Sequence, residues 1–254
     1  MSERRNVVVT AAASGIGLAI ARAFAENGDR VMICDVDEGA LSDLAGSDPE
    51  IHGEVCDVAD RADVETFIAK VAATLGGIDV FVNNAGISGP TAPVEELDPQ
   101  DWDAVVAVNL TAAFNLSRLA IPHLKRSRRG AIIVISSVAG RYGYPNRSAY
   151  AATKWGLIGF TKSLAIELGE YGIRANAILP GGVDGPRLRR VLEGRAQASG
   201  RPVEEVTADA LEAQSIKRFV DPSEVAALAL FLASEQGRSI SGQMLPIDND
   251  SSTA

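Results

Sequence analysis

Short apolar runs recur along the chain at intervals wide enough to hold one helix each, and that alternation constrains the fold more than any single motif. The runs lie near Asn6–Thr10, Arg30–Asp35, Ile51–Cys56, Ile78–Asn83, Ala131–Ser136, Arg174–Leu179 and Met244–Ile247. Segments of helical composition lie near Gly15–Asn27, Glu38–Ala45, Arg61–Leu75, Asp101–Leu124, Ala149–Gly169 and Ser223–Ala233. Strands that alternate with helices pair in parallel, because each crossover returns the chain to the same end of the sheet. The expectation is an α/β fold, a doubly wound parallel sheet of about seven strands with helices on both faces. A chain of 254 residues fits one such domain, and no Pro/Gly/Ser-rich linker, repeat or low-complexity tract marks a boundary inside residues 1–254.

The first unit has a particular shape. Val7-Val-Val-Thr10 runs into Ala11-Ala-Ala-Ser14-Gly15-Ile16-Gly17 and then into a helix. Small residues let backbone N–H groups approach a pyrophosphate, and a helix N-terminus favours negative charge. The second strand ends in Asp35, where a dinucleotide fold keeps a carboxylate for the adenine-ribose hydroxyls. That carboxylate repels a 2′-phosphate. No Arg stands in the first turn and Val36 follows Asp35, so the expected cofactor is NAD rather than NADP.

A second constellation carries chemistry. Tyr150 and Lys154 are four residues apart in a proline-free helical segment, and Ser137 precedes Tyr150 by thirteen. Residues i and i+4 share a helix face, so the phenol and the ammonium project together. A tyrosine of ordinary acidity, roughly pKa 10, is a poor proton carrier at neutral pH, and a nearby ammonium favours its phenolate. Alone, Tyr-x-x-x-Lys is a weak signal.

Together with Asp57-Val58, Asn83-Asn84-Ala85-Gly86, Asn109 and Pro180-Gly181, these residues resemble a classical short-chain dehydrogenase/reductase. The resemblance runs from Val7 to about Asp248, with the motifs in family order. It implies a Rossmann-like fold that transfers a hydride between NAD and a secondary alcohol or ketone. Tyr150 would move the proton, and Lys154 would depress its pKa and bind the nicotinamide ribose. Ser137 would bond the developing alkoxide, and Asn109 would bend its helix and hold a water that relays protons to Lys154. The implied cofactor contacts are Thr10, Ser14, Gly15, Ile16, Gly17, Asp35, Asp57, Val58, Asn83, Ala85, Gly86, Tyr150, Lys154, Pro180, Gly181 and Val183. Blander readings stand beside these: a strand-end turn for Asn83-Asn84, a strand-end cap for Asp57, a satisfied loop hydroxyl for Ser137. The resemblance also implies a homotetramer built partly on the Ala149–Gly169 helix.

Two positions depart from the family pattern. Ala11 stands where a first glycine is usual, which is tolerable at negative φ and costly at positive φ. Gly185 stands where a threonine usually donates to the nicotinamide carboxamide, and backbone groups of Val183 or a residue of the lid that follows are expected to substitute.

From Asp184 to about Phe219 the chain is polar and has no strand-like run, an oversized connection that reads as a substrate lid. Candidate pocket residues are Ser88 to Thr91, Val138 to Asn146 and the lid, including Arg141, Tyr142, Tyr144, Arg187 and Arg190. Arg187 and Arg190 would share a helix face and suit an anionic hydroxy substrate; alternatively they pair with Glu193 or other surface acids. The net charge of −9 argues against nucleic acid as partner. Cys34 and Cys56 read as reduced core residues of a cytoplasmic protein, His52 and His123 have no metal-ligand spacing, and no apolar run is expected to reach membrane-span length. The partner that the resemblance implies is a small-molecule substrate. Same-fold alternatives are a 3-oxoacyl-thioester (acyl carrier) reductase and a non-catalytic dinucleotide-binding regulator.

Overall fold

Seven parallel strands form one sheet in the computed structural model, which describes residues 4–127 and 129–253. They are β1 (Asn6–Thr10), β2 (Arg30–Asp35), β3 (Ile51–Val55), β4 (Val80–Asn83), β5 (Ala131–Ile135), β6 (Arg174–Pro180) and β7 (Met244–Ile247), in the order β3-β2-β1-β4-β5-β6-β7. The register aligns Val8 with Met32 on one side and with Phe81 on the other. The helices are α1 (Gly15–Glu26), α2 (Glu38–Ser47), α3 (Arg61–Leu75), α4 (Pro99–Val106), α5 (Ala112–Leu124), α6 (Ser148–Leu168), α7 (Pro186–Ser199), α8 (Val203–Glu212) and α9 (Pro222–Ala233). This is the doubly wound, Rossmann-like architecture expected from the alternation.

Alternate residues of each strand feed opposite cores. Val7, Val9, Val31, Ile33, Val80 and Val82 pack toward Ile20 and Phe24 of α1 and Val225 and Ala229 of α9. Val8, Met32, Cys34 and Phe81 pack toward Phe67 and Val71 of α3, Leu116 of α5 and Leu157 of α6. A fully buried phenylalanine such as Phe24 or Phe81 contributes about 2–3 kcal/mol. Helix starts follow their sequence signals: Asp98 Oδ1 accepts from Gln100 N–H ahead of α4, and Asp221 with Glu224 forms a capping box on α9.

Several boundaries move. β3 ends before Cys56 and β4 begins after Ile78, although both residues are buried. The expected helix Asp101–Leu124 starts at Pro99 and is continuous to Leu124, through a π-helical turn at Ala107–Thr111. By length and composition that 26-residue run is apolar enough to cross a membrane, which corrects the expectation that no run reaches that length. Here Ala112, Leu116, Ala120 and Leu124 bury its second half in the core.

The long connection after β6 folds as α7 and α8. Leu192, Ala196 and Val206 form a small cluster of their own, flanked by Leu188, Val203 and Phe219. Val183 and Val220 bridge in parallel, so the two ends of the excursion meet.

Candidate active site

The strand order reverses between β1 and β4, and the crevice beyond their carboxyl ends is where ligands bind in open α/β sheets. Thr10, at the end of β1, is buried and ties the two strands together. Its Oγ1 accepts from the N–H groups of Asn84 (3.0 Å) and Ala85 (3.1 Å). Asn84 returns the tie, donating from Nδ2 to Thr10 O (2.9 Å) and Ala11 O (2.8 Å). The expected cofactor residue Asn83 instead donates to Ser117 Oγ at 2.9 Å, inside the protein. Asn84 is thus the side chain that shapes the loop, and its signal was its place inside Asn83-Asn-Ala-Gly86.

Ala11 sits at φ +50°, the costly case for an alanine. Gly17 is required for space: a Cβ there would lie 2.5 Å from Ala11 O and 2.6 Å from Asn84 Nδ2. At the start of α1, Gly15 has φ +57° and the N-cap Ser14 makes no side-chain cap bond, so no side chain of the cap occupies the first-turn N–H groups. Asp35 accepts from Ala13 N–H (3.0 Å) and Asp37 N–H (3.2 Å), which sets it against the same loop. A loop built of closely approaching small residues with a carboxylate beside it fits a dinucleotide. Asp57 accepts from Ala59 N–H at 2.9 Å in a strand-end turn, and Val58 is buried.

Ser137, Tyr150 and Lys154 converge. Ser137 follows β5, accepts from Ala139 N–H at 3.2 Å and helps lower the Tyr150 phenol. Lys154 is 3% exposed, and its Nζ donates to Ile135 O at 2.9 Å and lies 5.5 Å from the Tyr150 ring centre. Burial pulls Lys154 down to about 8, with Arg187 lowering and Tyr150 raising it. Burial alone would raise Tyr150; Lys154, Arg187, Ser137 and Arg147 outweigh it and hold the phenol below its ordinary value.

Asn109 lies in the π-helical turn, an irregularity that concentrates at functional positions. Its Oδ1 accepts from Ile87 N–H (2.7 Å), and its Nδ2 donates to Ile87 O (3.0 Å) and Thr153 Oγ1 (3.1 Å). Gly86 fits between it and the lysine: a Cβ there would lie 3.2 Å from Asn109 Oδ1 and 3.4 Å from Lys154 Nζ. At the end of β6, Pro180 is buried and Gly181 N–H donates to Ile247 O at 3.0 Å. The bridge beyond it uses Gly182 O and Asp184 N–H, not the main-chain groups of Val183.

A cavity of about 780 Å³ lies beside these residues, bounded by Ser88 to Pro93, Asn146, Arg147 and Arg190 among others. Arg141 and Tyr142, expected in the pocket, turn to the C-terminal segment instead: Arg141 lies 3.9 Å from Asp248, and Tyr142 donates to Ser251 O at 3.1 Å. Arg187 reaches the site, donating to Gly86 O at 2.9 Å with its guanidinium 5.9 Å from the Tyr150 ring centre. Sequence reasoning passed over Arg147, which is buried three residues before Tyr150.

Known proteins share this fold. A family model described as enoyl-(acyl carrier protein) reductase matches residues 10–249. D-beta-hydroxybutyrate dehydrogenase of Cupriavidus necator is 38% identical over 255 residues, covering 98% of each chain. Among solved structures, a variant of actinorhodin polyketide ketoreductase with NADPH has a TM-score of 0.92 at 34% identity, covering 97% of this chain and 96% of that one. NAD⁺-bound xylitol dehydrogenase has a TM-score of 0.91 at 30% identity, covering 95% and 96%. The chain belongs to the classical short-chain dehydrogenase/reductase family. It is an oxidoreductase of the alcohol dehydrogenase and ketone reductase kind, and its cofactor is a nicotinamide dinucleotide.

Proposed function

We propose that the protein uses NAD to oxidise a secondary alcohol, or NADH to reduce its ketone, on a small polar hydroxy compound such as a sugar, sugar acid, polyol or hydroxy acid. The carrying observation is Tyr150 facing two cations, Lys154 at 5.5 Å and Arg187 at 5.9 Å from its ring centre, that hold its phenol below the ordinary value. As phenolate, Tyr150 takes the proton of the substrate hydroxyl. Ser137 bonds the same oxygen as its charge develops. Lys154 stabilises the phenolate, and Asn109 holds the Gly86–Ile87 backbone beside it. NAD, when bound, would supply the hydride acceptor. Asp35 and the Thr10–Gly17 loop would hold its adenosine and pyrophosphate, and Asp35 supports NAD over NADP because a carboxylate repels a 2′-phosphate.

The α7–α8 excursion serves as the substrate lid in this reading. Exposed Trp155 and Ile166, eleven apart on one face of α6, support a homotetramer built partly on that helix. Free, buried Cys34 and Cys56 support a cytoplasmic setting. Reduction of 3-oxoacyl thioesters is the second reading, favoured by 37% identity over 250 residues to a 3-oxoacyl-(acyl-carrier-protein) reductase of Thermotoga maritima and opposed by Asp35. Turnover of NAD and NADP with polyols, sugars, hydroxy acids and a 3-oxoacyl thioester separates the two. NADH binding with no turnover across that panel would instead indicate a non-catalytic regulator.

A further inference from the structure

Four arginines gather around Tyr144 and Tyr150 in a chain whose net charge is −9. Arg147 is the innermost, 5% exposed, donating from Nη1 to Ser88 O (3.3 Å) and from Nη2 to Thr91 Oγ1 (3.0 Å). Its Nε is buried with no partner among the described residues. Its guanidinium lies 5.7 Å from the Tyr144 ring centre, that of Arg195 lies 4.8 Å from the same ring, and Tyr144 meets Tyr150 edge-on at 6.2 Å. Arg187 covers Tyr150, and Arg190 lines the cavity with Arg147. A smaller crevice shares Ser88 and Arg147 with that cavity and reaches Tyr150.

Buried cations in proteins are normally matched by acids. Of the four arginines only Arg147 is buried, and no ion pair among the described residues includes it; none includes the exposed Arg187 or Arg190 either, so Glu193 does not take the role considered for it. The charged and titratable groups that act on Arg147 are Tyr144, Tyr150, Arg195 and Arg187, with burial the largest influence and pulling it down. Glu96 borders the cavity but is exposed at its rim. The fold stations α7 close to this cluster by design of its helix: a Cβ at Gly194 would lie 3.1 Å from Thr91 Oγ1, the atom that holds Arg147.

We propose that Arg147 and Arg187, with Arg190 at the cavity wall, form a subsite for the carboxylate of a short hydroxy acid whose hydroxyl sits at Tyr150. This rests on the oxidoreductase reading above and narrows its substrate class. Arg187 lies 5.9 Å from the Tyr150 ring centre and Arg147 one helical turn from Tyr150 along the chain, so the acid and the hydroxyl are separated by few carbons. A guanidinium binds a carboxylate through paired donors, and a neutral isostere forfeits that charge-assisted contact.

The test uses the NAD-loaded enzyme and two probes without a hydroxyl, butyrate and butyramide, titrated by calorimetry. Butyrate should bind at least tenfold more tightly than butyramide to the parent. Arg187→Met, on the exposed face of the lid, should shrink that ratio several-fold. Arg147→Met should nearly abolish it, once circular dichroism shows that the variant is folded. If it does not fold, the parent ratio and the Arg187 variant decide. A second arm compares kcat/KM for 3-hydroxybutyrate and its primary amide, and the acid-to-amide ratio should fall tenfold or more in either folded variant. Equal binding of the two probes to the parent overturns the subsite, even if neutral alcohols are oxidised. Selective butyrate binding with no turnover of any alcohol upholds the subsite and overturns the oxidoreductase reading.

Discussion

Asn84 donates both hydrogens of its side-chain amide to the first loop, to Thr10 O and Ala11 O, at the point where Ala11 holds φ +50°. The clamp sustains a backbone conformation that an L side chain resists by roughly 1–2 kcal/mol. Ala11→Gly relieves that strain, partly offset by the greater freedom of glycine in the unfolded chain. The expected net gain is about 0.5–1 kcal/mol, a rise of about 2 °C in Tm by scanning calorimetry. Asn84→Ala should cost about 1–3 kcal/mol by leaving buried carbonyls unpaired. A lower Tm for Ala11→Gly would mean that the methyl group packs better than its dihedral angle suggests.

Tyr150→Phe keeps the ring and removes the hydroxyl proposed to carry the proton. Turnover should fall on the order of 10² to 10⁴-fold while NADH still quenches or enhances fluorescence as in the parent. Ser137→Ala should lower kcat more than it raises KM, since its bond strengthens as the oxygen gains charge. Activity of Tyr150→Phe within a few-fold of the parent would remove Tyr150 from the chemistry.

Lys154 links activity to stability through pH. Its folded value, about 8, lies below the unfolded value of 10.5. Between those values the unfolded chain binds more protons, so this group's contribution to stability rises with pH in that window and is most unfavourable below about pH 8. Lys154→Met, which is never charged, should therefore gain most in Tm below pH 8, with a charging contribution of at most about 3 kcal/mol. The advantage should shrink as the pH approaches 10.5. Thermal melts from pH 6 to 10 measure it, and a constant difference across that range would contradict the assignment. The same variant should lose most alcohol oxidation, which in the parent should rise with pH through the lowered Tyr150 value.

Asp35→Ala removes the carboxylate proposed both to accept from the ribose and to repel a 2′-phosphate. NAD should bind more weakly and the preference for NAD over NADP should narrow by an order of magnitude or more. The comparison is kcat/KM for the two cofactors with one substrate at matched concentration. A parent that already prefers NADP would contradict the role given to Asp35.

The sheet was legible because strand spacing and apolar content report on the same burial. β1, β2 and β7 have the expected bounds, whereas Cys56 and Ile78 are buried yet lie outside the ladder, and apolarity cannot distinguish a buried strand end from a buried turn. Ser137, Tyr150 and Lys154 were legible through local spacing, and the structure brings them together. The sign of φ at Ala11 depends on Asn84, more than seventy residues away, and no local pattern encodes it. Arg147 escaped notice for a similar reason. At a helix start it reads as solvated, whereas its bonds to Ser88 and Thr91, nearly sixty residues away, hold it in the interior.

The separate apolar cluster of α7 and α8 makes this segment a cassette. Leu192, Ala196 and Val206 stabilise one another rather than the sheet, and the bridge between Val183 and Val220 brings the two ends of the segment to one place. A segment of another length or sequence could be spliced between those positions without changing the distance its ends must span. With the lid role proposed above, recombination at these two points exchanges Arg187 and Arg190 while Arg147, Ser137, Tyr150 and Lys154 stay with the scaffold, so grafting this segment onto a relative should carry only part of its selectivity across.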